Sequence, residues 1–223
     1  MTSFPGSPRL LKAGIVLLNP DSGAIERIIT LQYNPNSLSR TLQAQSIGAE
    51  GGGDRSEALR LGGPPVETFK LEAEIDAADQ LEFPDQNETT VEFGIYPQLA
   101  ALETMVYPPA SRLIQNNAQA SMGTLEIAAV ESPLTLFVWS QRRVMPVRLT
   151  EFSITEEAFD PRLNPLRAKV SLGMRVLNVN DLGFDHKGGN LYMVYHQQLE
   201  NLAQKAKGGA LSDLGISAGD VEA

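Results

Sequence analysis

LRAKVSLGMRV, residues 166–176, alternates without interruption: Leu166, Ala168, Val170, Leu172, Met174 and Val176 fall on one side, with Arg167, Lys169, Ser171 and Arg175 on the other. Successive side chains of a β-strand point to opposite faces, so this pattern specifies one long strand with an apolar face in a core and a basic face outside. A second run has the same period and the opposite charge. Phe69, Leu71, Ala73 and Ile75 alternate with Lys70, Glu72, Glu74 and Asp76. As neighbours in one sheet, the two strands would carry complementary outer faces.

Period-two runs recur at residues 11–18, 27–33, 38–44, 124–130, 134–139 and 144–155. The last changes phase, from odd Val147 and Leu149 to even Phe152 and Ile154, which a β-bulge near Thr150 and Glu151 would correct. The 134–139 run is apolar on both faces, as in a buried or interface strand, and Ser140 to Arg143 reads as a hairpin turn. Two helical patterns interrupt the strands. One runs from Pro97 through Leu99, Leu102, Met105 and Val106 to the stop at Pro108 and Pro109. The other covers about residues 190–207, with Tyr192, Tyr195, Leu199 and Leu202 on one stripe and glycines after it. That stripe faces a core or docks on another subunit. The fold class is mainly β: an antiparallel barrel or sandwich, with one short helix and a C-terminal helix. Residues 1–180 form the β domain, and 181–223 form the helix and a flexible acidic tail.

Composition excludes whole classes of function. With 223 residues, 42% hydrophobic and 20% charged, the chain has the make-up of a globular domain. It has no cysteine, which removes disulfides, thiolate metal sites and cysteine nucleophiles, and its net charge of -9 argues against a nucleic-acid surface. No apolar run approaches the length of a membrane helix, and MTSFPGSPRL lacks a signal-peptide core, so assembly in the cytoplasm is expected, with no membrane partner for the isolated subunit.

The chemical motifs fail on inspection. GAEGGGDRS has glycines at 48 and 53, but Asp54 stands where a phosphate loop needs its lysine. The two histidines, His186 and His196, are not at ligand spacing, and Glu156, Glu157 and Asp160 read as a solvated acidic edge. No G-x-S-x-G elbow is present. The reading is of no enzyme, no metal and no cofactor. What remains is the Gly-rich segment 46–65, too long for an idle turn in a compact domain.

Three segments in order carry a resemblance: LQYNPNSLSRTLQ from residue 31, LGGPPVETFKLEAEID from residue 61, and AFDPRLNPLRAKVSLGMRVL from residue 158. Together they resemble the tube-like, baseplate hub adaptor proteins of contractile injection systems, over about residues 11–178. The resemblance implies a tail-tube-like fold and a structural ring subunit in a phage-tail-like particle, linking the inner tube to the baseplate hub or spike. It implies a six-fold ring of the chain itself, in contact with inner tube subunits and spike or hub proteins. Many adaptor relatives carry a C-terminal LysM module that this chain lacks after residue 178, which leaves adaptor, tube initiator, inner tube subunit and cap as readings. A ligand-binding β-sandwich is a more distant alternative. Asn34-Pro35-Asn36 reads as a sharp reversal between paired strands at a barrel edge. Candidate interface residues are Asp54, Arg55, Glu57 and Arg60 on the loop, Arg167, Lys169 and Arg175 against Glu72 and Glu74 on the strands, and Tyr192 and Tyr195 on the helix.

Overall fold

The computed structural model describes residues 11–19, 22–46, 60–123 and 132–221. The fold is mainly β, with seven antiparallel strands in one sheet: β1 (Gly14–Leu18), β2 (Ile25–Thr30), β3 (Leu38–Gln43), β4 (Val66–Asp76), β5 (Leu134–Ser140), β6 (Arg143–Phe159) and β7 (Pro165–Val176). Their order across the sheet is β2-β1-β5-β6-β7-β4-β3. The two alternating runs are neighbours. Leu71 lies opposite Leu172, Glu74 opposite Lys169 and Asp76 opposite Arg167. Ala168, Val170, Leu172, Met174 and Val176 are buried, as are Phe69, Leu71, Ala73 and Ile75.

The phase change in β6 is a register shift between Leu149 and Glu151, where the strand gains one residue against β7. That extra residue returns both Leu149 and Phe152 to the core side, where they pack on the buried cluster. The β5–β6 reversal falls at Gln141 and Arg142, with Ser140 opposite Arg143. Strand β5, apolar on both faces, lies inside the sheet between β1 and β6. The 124–130 run lies outside the described residues.

The sheet curls into an open barrel. Phe69 on β4 and Phe137 on β5 stand three ladder steps apart, about 14 Å in a flat sheet at ~4.8 Å per step. Their ring centroids are 6.0 Å apart, so the sheet bends to bring them together. One cluster then collects residues from every strand except β2 and β3, together with Ile95 at the start of the helix Tyr96–Glu103 and Leu99, Leu102, Tyr192 and Tyr195 from the helices.

Strands β2 and β3 do not pair with each other, contrary to the expectation for the Asn34-Pro35-Asn36 turn. β2 pairs with β1, β3 pairs with β4, and they are the two opposite edges of the sheet. The stretch 31–37 crosses from one edge to the other, and its side chains take the place of a ladder. The Gln32 amide donates to the Asp76 carbonyl at 2.7 Å and accepts from the Asp76 N–H at 3.0 Å. The Asn34 amide accepts from the Ala13 N–H at 2.9 Å and donates to the Leu11 carbonyl at 2.7 Å. Each amide thus offers one donor and one acceptor, as a peptide group does.

Between β4 and β5 the chain is more helical than its sequence suggests. Instead of one short helix there are α1 (Ala78–Leu81), α2 (Glu88–Phe93), α3 (Tyr96–Glu103) and α4 (Ala110–Ser121). Helix α3 is the expected one, with Pro97 in its first turn and Leu99 and Leu102 buried. Helix α4 buries no residue, so no apolar stripe against the core betrays it. After β7 come α5 (Val179–Leu182) and α6 (Lys187–Ala203), which lies on β6. His186 caps α6: its Nδ1 accepts the Gly188 N–H at 3.0 Å.

Candidate assembly interface

The features of this fold that lack an internal partner are its edges. β2 is paired only with β1, and β3 only with β4, so each presents one row of backbone N–H and C=O groups with no strand beside it among the described residues. Both edges also show apolar side chains to solvent: Ile25 and Ile28 on β2 are 63% and 62% exposed, and Leu42 on β3 is 51% exposed. Together these offer directional hydrogen bonding and burial to an adjoining strand.

The β3 edge is braced from inside. Glu67, next to β3 on β4, is buried and accepts hydrogen bonds from the Arg40 guanidinium and, at 2.9 Å, from the Tyr195 hydroxyl on α6. The Arg40 guanidinium carbon also stands 5.9 Å from the Phe69 ring centre. Burial and the neighbouring Glu67 carboxylate push the Tyr195 phenol well up, which keeps it a donor. One carboxylate therefore ties the edge strand, its neighbour and the C-terminal helix. The signal for it lay in the sequence: the odd-numbered buried positions of β4, continued back from Phe69, place an acid on the core face at Glu67.

The strand charges proposed for the interface are largely engaged within the chain. Arg167 bonds Asp76 at 2.7 Å and lies 3.9 Å from Glu74; Lys169 reaches Glu157 on β6 at 3.1 Å; Arg175 bonds Asp181 at 2.8 Å. Burial acts to raise the Asp76 carboxyl, but the Ala78 N–H and the Arg167 guanidinium outweigh it and hold it below the usual carboxylate value. Glu72 is exposed opposite Ser171. Tyr192 and Tyr195 sit in the chain's own core, at 4% and 2% exposure. Of the loop residues, Asp54, Arg55 and Glu57 lie outside the described residues, and Arg60 is exposed. The base of the loop is closed by a bridge between Ser46 and Leu61 and by the Gly62 N–H donating to the Gln45 carbonyl at 2.6 Å.

Among the described residues no group of three or more His, Cys, Asp or Glu could hold a metal ion, and no helix is long and apolar enough to cross a membrane. Asp160 is spent on its turn, accepting from the N–H groups of Arg162 and Asn164 at 2.7 and 2.9 Å. Those contacts, the Asn164 side chain foremost, hold its carboxyl below the usual value.

No protein-family model matches the chain, and no curated protein matches it. Among solved structures it is similar to a chain in the tail of an empty gene transfer agent particle refined with C6 symmetry, at 13% identity and a TM-score of 0.29, over 74% of this chain and 90% of that one. A chain in the virion of a native gene transfer agent particle is similar at 11% identity and a TM-score of 0.27, over the same 74% and 90%.

Proposed function

We propose that this chain is a structural ring subunit of a contractile injection system or phage-like tail, linking the inner tube to the baseplate hub or spike as an adaptor or tube initiator. The observation that carries the reading is the position of β2 and β3 at opposite edges of one curled sheet. A contact between the β2 edge of one copy and the β3 edge of the next joins two different surfaces. Such a head-to-tail contact closes into a ring when the rotation between copies divides a full turn. The resemblance of the three sequence segments to hub adaptors sets the expected ring at six. The 46–65 loop leaves from the end of β3, and it is proposed to reach the neighbouring subunit, with Asp54, Arg55, Glu57 and Arg60 supplying charges of both signs.

Electron microscopy of the purified chain, alone and together with its neighbouring gene products, tests this reading. Closed rings lost on Ile28→Lys or Leu42→Lys, with each variant still folded, are the expected result. Rings that persist in both variants would remove the edges from the interface, and a chain that stays monomeric with every neighbour would end the ring reading.

A further inference from the structure

A cavity of about 510 Å³ opens between β2, β4, β7 and the helices α1 and α3. It lies where the sheet fails to close on itself, beside the Gln32 clasp. Its floor is core: Leu31, Ile75, Leu102 and Leu172 are all lining residues and all buried. The charged rim is mixed. Glu74 and Asp79 are engaged by Arg167 and by the Tyr33 hydroxyl, and Arg27 bonds Thr104, whereas Lys12 has no ion pair among the described residues.

The C-terminal segment shows the complementary deficit. Every described residue from 204 onward is exposed, and Leu211, Leu214, Ile216 and Val221 hold 42%, 73%, 39% and 63% of their surface in water. Asp213 and Asp220 stand among them, each accepting a backbone N–H of its own turn. A short segment with four solvated apolar side chains and intervening acids offers what the cavity lacks: apolar bulk and a negative charge for Lys12.

We propose that this cavity receives the 208–221 segment of a second copy of the chain, with Leu214 and Ile216 as the apolar anchors. The segment stands clear of its own core, and the capture proposed is between copies. The proposal does not rest on ring formation, since one tail in one cavity links two chains in any arrangement.

The absence of native cysteine makes a direct test available. One full-length chain carries Thr30→Cys at the cavity rim, and a second, tagged to differ in size, carries Ser212→Cys on the tail. The two are mixed under mild oxidation and the disulfide-linked heterodimer is measured on a non-reducing gel. Holding the two thiols together raises their effective concentration, so the yield should exceed that of a control partner bearing Arg142→Cys, outside the cavity, by roughly ten-fold or more. Leu214→Asp with Ile216→Asp on the tail chain, or excess synthetic peptide of residues 208–223, should return it to the control level. A heterodimer yield equal to the control, or one indifferent to the anchor substitutions and to the peptide, overturns the proposal. Rings seen without this cross-link would leave the edge reading standing and this one refuted.

Discussion

Glu67→Ala removes the acceptor shared by Arg40 and Tyr195, and its cost can be worked from the two groups it abandons. Breaking a fully buried ion pair by deleting one member costs about 3–5 kcal/mol, because the remaining charge is stranded. Arg40 keeps 26% of its side chain in water, against 5% for Glu67, so the stranded guanidinium is partly rehydrated and its share falls to about 1–2 kcal/mol. The Tyr195 hydroxyl, in a side chain only 2% exposed, loses its acceptor at a further cost of about 1–2 kcal/mol. The sum is about 3 kcal/mol, or roughly 1.5 M in urea midpoint at a slope of about 2 kcal/mol per molar. Glu67→Gln retains an acceptor but not its charge, and should cost about 1 kcal/mol; Tyr195→Phe should cost about the same. Urea unfolding followed by Trp139, whose ring centroid is 6.1 Å from that of Phe137 in the core, gives the measurement from a single tryptophan. If Glu67→Ala unfolds within about 0.5 kcal/mol of the parent chain, the carboxylate is not the tie between β3 and α6, and the reasoning fails.

Further outcomes follow from the same contacts. Leu172→Asp should prevent folding, since Leu172 is 1% exposed, whereas Ser171→Asp, on the other face and opposite Glu72, should fold with a loss of about 1 kcal/mol; circular dichroism of both variants would show it, and equal unfolding would mean the faces are misassigned. Gly94 has φ +60° and ψ -138°, and an added Cβ would stand 2.2 Å from the Pro165 carbonyl oxygen, so Gly94→Ala should lower the melting temperature sharply while Gly123→Ala, with no atom of the described residues within 4 Å of the added Cβ, should have only the small effect of its positive φ. The depressed Asp76 and Asp160 carboxyls contribute stability that is fully present above the ordinary aspartate value near 4 and lost as pH falls through their lower folded values; urea midpoints flat from pH 7 to about 5 and falling below about 4 are expected, and Asp76→Asn should flatten part of that fall. Replacing residues 48–59 by a tight turn should leave the monomer's melting curve nearly unchanged, since the Ser46–Leu61 bridge is kept, and should prevent incorporation into particles.

The strands were legible because their signal is local. Burial on one face forces period two, and β4, β6 and β7 announce themselves, the bulge included. The pairing of β4 with β7 could also be read, because complementary charge on two long strands is a long-range signal written in both. What the sequence hides is the role of LQYNPNS. A turn formula states that the chain changes direction, and it does not state whether the next strand returns to the same neighbour or leaves for the far edge. Helix α4 was missed for the converse reason: it buries nothing, so no core fixes the spacing of its apolar residues. The edges themselves are defined by what fails to pair, and an absent partner leaves no pattern in the chain.

The Gln32 clasp has a mechanical meaning. The long β6–β7 hairpin, pulled along its strands, would load its many hydrogen bonds simultaneously, and such an array resists because all must break together. The mouth of the barrel is bridged by side chains, the Gln32 amide to Asp76, the Tyr33 hydroxyl to Asp79 and the Arg27 guanidinium to Thr104, which can release without disturbing any ladder. A particle that transmits force through this subunit would therefore find a stiff axis along the hairpin and a compliant seam across the mouth. The seam would yield first, widening the barrel while every strand pair stays intact.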